Sequence, residues 1–202
     1  DPVLFARFVE LQRYVYTQLR ANPAYDHVKI VVSLASEYFV SDEFGVPILA
    51  DALQQEGVKT RHLEGLQALL PYTDMVGLSV YPIKSRFGTS QIQAGFFDDL
   101  FSTIRAVTTK PMAITEAGYP SKTFRVWDLH FGSDPEEQFS FLRLMLSESA
   151  KHAVEFVTNY SVRDQTPYLD KLRARSQETP PFVAPLLVEF YKYFEFIGLF
   201  DA

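Results

Sequence analysis

Lys110-Pro111-Met112-Ala113-Ile114-Thr115-Glu116-Ala117-Gly118-Tyr119-Pro120-Ser121 is the stretch whose reading decides the fold. An apolar run rises out of a Lys-Pro turn, carries one carboxylate near its end and stops in Gly-Tyr-Pro, the pattern of a buried strand that aims a single acid at a cleft. Glu116 is therefore the residue to explain. In an arbitrary chain a strand-end glutamate is usually solvated or ion-paired, because charged side chains are mostly exposed. Any further weight on Glu116 has to come from the rest of the sequence.

Immediately upstream, Phe96, Phe97, Leu100, Phe101, Ile104 and Val107 recur at the three-and-four spacing of an amphipathic helix. Before that helix lies a second buried strand, Met75-Val76-Gly77-Leu78-Ser79-Val80-Tyr81, entered from Asp74 and left through Pro82, with Ser79 and Tyr81 at its exit. Further upstream, Leu63, Leu66, Leu69 and Leu70 mark a helix that stops at Pro71, and residues 48–55 carry a shorter helical pattern after Gly45-Val46-Pro47. The β-branched run from Val28 to Leu34 reads as another strand, followed by Ser36-Glu37-Tyr38, so a second acid stands at a strand exit. The first helix covers residues 3–20, with Leu4, Phe5, Phe8, Leu11, Val15 and Leu19 expected on its buried side.

Downstream of Ser121 a loop of about a dozen residues holds Trp127, Asp128 and His130, longer than most connections. Asp134-Pro135-Glu136-Glu137 then opens a helix with an N-cap acid and Pro at the first helical position, and Phe139, Leu142, Met145 and Leu146 are its expected buried face. Ala153 to Tyr160 is the fourth strand, ending in Asn159-Tyr160, and residues 181–194 carry a last helical pattern.

With 202 residues and 47% hydrophobic content, the chain can bury a sizeable core as one domain spanning residues 1–202. A net charge of -6 without a Lys/Arg cluster argues against a nucleic-acid partner, which requires a basic face to neutralise phosphates. No apolar run approaches the roughly 20 residues that span a bilayer, so no membrane partner is expected. Zero cysteines exclude disulfides and thiolate metal sites. His27, His62, His130 and His152 show no paired metal-ligand spacing, and no serine lies in G-x-S-x-G, so neither a metal centre nor an α/β-hydrolase nucleophile is expected.

Strands alternating with helices imply a parallel sheet with helices outside. An open doubly wound sheet that binds nucleotide would carry a glycine-rich first turn, and none follows any strand here. The alternative is a (β/α)8 barrel, in which functional groups gather at the C-terminal ends of strands, where Glu37, Ser79, Tyr81, Glu116 and Asn159 all fall. A whole barrel takes about 250 residues, so about four strand-helix units amount to half of one. Either a missing N-terminal half or a second copy of the chain would then close the sheet, since open edges are normally paired or covered.

The Asp74–Pro82 and Lys110–Ser121 stretches resemble the sixth and seventh strands of clan-A retaining glycoside hydrolases, the barrel enzymes that include endo-β-1,4-galactanases and many β-glycanases. Val28–Tyr38 is similar to the fifth strand, residues 155–164 to the eighth, and Gly198-Leu199-Phe200-Asp201 to the start of a closing turn. The resemblance implies a hydrolase acting on a β-linked carbohydrate without cofactor, with Glu116 as nucleophile and Tyr81 as the aromatic beside it. It also implies a secreted or periplasmic location. Ser79, Glu37, Tyr119, Trp127, Asn159 and Tyr160 are the accompanying substrate-site candidates; where the family often has a tryptophan, this chain has Asn159, leaving Trp127 or Tyr160 to stack on sugar. The family's acid/base glutamate belongs to an Asn-Glu pair, and no such pair occurs in the chain. That departure keeps a rival open: a carbohydrate-binding or structural pseudoenzyme built on the same half-barrel.

Overall fold

The apolar runs become strands because each is bounded by turn chemistry and each finds a parallel neighbour. The computed structural model describes residues 2–40, 57–81, 94–126 and 129–160, with isolated positions between 167 and 198. Within these, β1 (Val31–Ala35), β2 (Met75–Val80), β3 (Met112–Ala117) and β6 (Val157–Asn159) form one parallel sheet in the order β1-β2-β3-β6. Helices α1 (Pro2–Arg20), α2 (Val58–Leu69), α3 (Ala94–Arg105) and α4 (Pro135–Lys151) each precede one of these strands. The strand order follows the chain without reversal. The helical patterns at residues 48–55 and 181–194 lie outside the described residues.

One face of the sheet is the core. Val76, Leu78 and Val80 of β2 and Met112, Ile114 and Ala117 of β3 all point to it, against Leu66 of α2, the phenylalanines of α3 and Met145 of α4. Phe97 stacks on Phe101 and on Phe141, so the aromatic spacing of α3 is spent on packing. At roughly 1.5–3 kcal/mol per fully buried large side chain, this face supplies the main drive for the fold.

Two helices turn a different side to the core from the one their periodicity predicts. In α1, Leu4, Phe8, Leu11 and Val15 are 62%, 42%, 59% and 39% exposed, whereas Phe5 sets the edge of its ring over Gly65 of α2 and Leu19 is half-buried. The helix is held mainly by polar anchors nearly a third of a turn away: Gln12 donates to the Tyr72 carbonyl at 2.9 Å, and Tyr16 and Arg20 reach Asp74. In α4, Phe141 and Met145 are buried and Leu142 is half-buried, while Phe139 and Leu146 face outward. The N-cap reading of α4 corresponds to a hydrogen bond, since Asp134 accepts from the Glu137 amide at 2.9 Å.

The long connection after Ser121 contains a hairpin rather than a plain loop. Phe124–Val126 (β4) pairs antiparallel with Leu129–Phe131 (β5), and Thr123 closes its base by donating to the Ser133 carbonyl at 3.0 Å and accepting from the Ser133 amide at 3.1 Å. The fourth strand of the sheet is shorter than its apolar run. Ala153 adopts φ 51 just after α4, and the Val154 amide returns to the Ser149 carbonyl at 2.9 Å, so these residues end the helix instead of starting the strand.

Candidate functional site

Glu116 reaches its position through an irregularity in β3. Leu78 of β2 stands opposite Ile114, yet the next residue, Ser79, stands opposite Glu116, so Thr115 is an extra residue in β3. The pairing with β6 is interrupted over the same residues, where Ile114 and Ala117 match Val157 and Asn159. Strict alternation from Met112 and Ile114 would send Glu116 into the helix-packed core. The bulge instead puts Thr115 and Glu116 together on the other face and returns Ala117 to the core.

On that face the Glu116 carboxylate is held at both oxygens. The Tyr81 hydroxyl donates to Oε1 at 2.6 Å and the Ser79 hydroxyl donates to Oε2 at 3.2 Å. Burial raises the Tyr81 pKa far above the usual tyrosine range, and the bond to Glu116 raises it further, so the phenol stays protonated and remains a donor. Two hydroxyl donors, one on each oxygen, fix the plane of the carboxylate. A carboxylate oriented in this way at a strand end can act as a nucleophile or as an acceptor for a hydroxyl-rich ligand.

The strand beneath is braced by a second pair. Ser33 of β1 and Thr115 of β3 share a hydroxyl hydrogen bond of 2.6 Å, although β2 lies between them. Gly77 makes this contact geometrically accessible: a Cβ there would stand 2.6 Å from Thr115 Cγ2 and 2.9 Å from Val31 Cγ1. Thr115 also donates toward the Leu78 carbonyl at 3.3 Å. The sequence reading missed Ser33, Gly77 and Thr115. The available signal was a glycine inside a β-branched strand, which often marks close approach of neighbouring chain.

Of the other candidates, Tyr160 lies beside Tyr81, and the remaining described ones stand farther along or across the sheet. Ala35, Ser79 and Glu116 lie in one register line at the C-terminal end of the sheet. Glu37 follows in a 3-10 turn, Ser36–Tyr38, at the exit of β1, about 10 Å across the sheet from β3. It lies next to Tyr38, whose phenol is raised above its usual range by burial and then by the Glu37 charge. Asn159 ends β6 opposite Ala117, and Tyr160, 40% exposed, donates its amide to the Ala117 carbonyl at 2.6 Å. Tyr119 is 2% exposed and stacked on Phe141 in the helix-side core, so its ring is used in packing, and burial pushes its pKa up to about 12. Trp127 lies outside the described residues.

Among the described residues, Asp98, Glu148 and His152 bring three donor atoms within 4.8 Å of one another between α3 and α4. The Lys151 ammonium already bonds Asp98 at 2.7 Å and Glu148 at 3.3 Å, and His152 meets Asp98 at 2.8 Å. The cluster has its own cation and cross-links two helices on the far side of the sheet from Glu116.

No family model matches the sequence, and no curated protein matches it. Among solved structures, the crystal structure of β-glycosidase BGL167 is similar over 67% of this chain and 31% of that one, with 19% sequence identity and a TM-score of 0.34. At that level neither fold nor activity is inferred from the likeness.

Proposed function

We propose that this chain forms part of a (β/α)8-barrel retaining glycoside hydrolase acting on a β-linked oligo- or polysaccharide, with Glu116 as its nucleophile. The observation that carries the reading is the clamp of Tyr81 and Ser79 on the Glu116 carboxylate at the C-terminal end of a parallel sheet. Strands in chain order with the helices on one face agree with a barrel segment, and β1 and β6 are the edges at which the remaining strands would add, from a further half of the protein or a second copy. No described helix is long and apolar enough to cross a membrane.

In this mechanism Glu116 attacks the anomeric carbon while a second carboxyl, about 5–5.5 Å away, protonates the departing oxygen. The glycosyl ester formed on Glu116 is then hydrolysed by water, with the second group acting as base. Tyr81 and Ser79 each hold one Glu116 oxygen and so fix the plane of the carboxylate for attack; the donor on the oxygen that does not bond to sugar keeps its partner in the ester. The chain contains no Asn-Glu pair of the kind the resemblance requires for the proton donor, and Glu37 is the strand-exit acid nearest in type. In the complete protein, Glu116→Gln is expected to cut glycosidase turnover by roughly a thousandfold or more. Turnover within a few-fold of wild type would refute the assignment.

The absent Asn-Glu pair also favours a second reading, a carbohydrate-binding pseudoenzyme. Its signature would be glycan binding without turnover that survives Glu116→Gln.

A further inference from the structure

Gly118 lies two residues beyond Glu116, just past the end of β3. A β carbon there would stand 2.7 Å from Tyr81 Cε1, 3.3 Å from Tyr81 Cδ1 and 2.9 Å from the Tyr160 carbonyl oxygen. The backbone on both sides is tied. Gly118 donates its amide to the Val80 carbonyl at 3.2 Å, and Tyr160 donates its own to Ala117 at 2.6 Å. A side chain at residue 118 therefore meets two walls, of which one is main chain and the other is the ring whose hydroxyl reaches Glu116 at 2.6 Å. Tyr81 is itself 2% exposed, so its ring has little room to move aside.

We infer that Gly118 is a positioning residue: its missing side chain opens the slot through which the Tyr81 ring reaches the Glu116 carboxylate. An added methyl displaces the ring edge by several tenths of an ångström at least, and a hydrogen bond of 2.6 Å made from the end of that ring does not survive such a shift unchanged. The geometric claim holds whatever Glu116 does. Its catalytic consequence rests on the proposed role of Glu116 as nucleophile.

The test reads Tyr81 directly in the full chain. With tyrosine labelled by carbon-13 at Cζ, the Tyr81 resonance is assigned by its loss in Tyr81→Phe and followed from pH 8 to pH 11. In wild type, Tyr81 faces Glu116 and Tyr160 and is expected to remain protonated at pH 11, where an ordinary tyrosine with a pKa of about 10 is mostly ionised. In Gly118→Ala the ring stays buried but its bond to Glu116 is displaced, so the Tyr81 Cζ resonance is expected to move from its wild-type position at pH 8, while near-ultraviolet circular dichroism reports an intact fold. An unmoved Tyr81 resonance in folded Gly118→Ala overturns the inference, as does ordinary titration of Tyr81 in wild type. If Gly118→Ala does not fold, Tyr81→Ala alone and the double variant Tyr81→Ala/Gly118→Ala decide: where Tyr81→Ala folds, recovery of the fold in the double variant supports a ring-to-methyl collision, and failure puts the collision at the Tyr160 carbonyl instead and refutes the inference. Where the complete protein is active, Gly118→Ala is expected to lower kcat about tenfold with KM changed less than twofold. A moved Tyr81 resonance in a protein without glycosidase activity removes the proposed function and leaves the role of Gly118 standing.

Discussion

Replacing Asp74 by alanine is expected to loosen the attachment of α1 to the sheet and to cost about 2–4 kcal/mol at pH 7. The Asp74 carboxylate accepts from the Ile30 amide at 2.6 Å and from the Tyr16 hydroxyl at 3.2 Å, and pairs with Arg20, so one side chain ties α1 to the entrances of β1 and β2. Hydrogen bonds to a charged acceptor contribute about 1.5–3 kcal/mol each. The sum of the first two is reduced because water reaches the Asp74 side chain, which is 17% exposed, and the Arg20 pair is left out because its guanidinium is well solvated. Burial by itself would raise the Asp74 pKa, but the Ile30 amide, the Arg20 charge and the Tyr16 hydroxyl outweigh it and hold the carboxyl below its usual range. A depressed folded-state pKa means the contribution is complete above the unfolded value of about 4 and is lost as the pH falls through the folded value. Urea unfolding of wild type and Asp74→Ala should therefore show a gap of about 2–4 kcal/mol at pH 7 that narrows by pH 2.5. A gap below about 0.5 kcal/mol at pH 7, or one of equal size at both pH values, would show that Asp74 does not anchor the helix as argued.

Gly77→Ala should destabilise by about 1–3 kcal/mol in urea unfolding, because its methyl collides with Thr115 and Val31 beneath the Ser33 bridge. A change under about 0.5 kcal/mol would mean that the strands shift freely to accommodate it. Ala153→Gly should raise stability by about 0.5–1 kcal/mol, since φ 51 at the end of α4 suits glycine better than alanine. A fall in the midpoint of thermal unfolding would count against that account of the helix end.

Much of the fold was legible because local chemistry decides it. Apolar runs bounded by Asp74, Pro111 and similar breaks became β2 and β3, and the Asp134-Pro135 start of α4 is set by a cap four residues long. Helix faces were less legible. The apolar stripe of α1 lost to anchors at Gln12, Tyr16 and Arg20, because three polar attachments to specific partners determine an orientation that non-directional apolar attraction leaves free. Tyr119 illustrates the same limit at the site, since its place after Glu116 says nothing about whether its ring meets ligand or Phe141.

Sequence alone determined that Glu116 stands at the end of a buried strand and that Tyr81 stands at the end of another. Only the tertiary structure decided which face of the sheet receives Glu116. Period-two alternation points it into the core, and the extra residue at Thr115, visible only against the register of β2 and β6, turns it toward Ser79 and Tyr81. The reason is physical: a bulge is defined by the mismatch between paired strands, so it depends on the partner strands as well as on the chain that carries it.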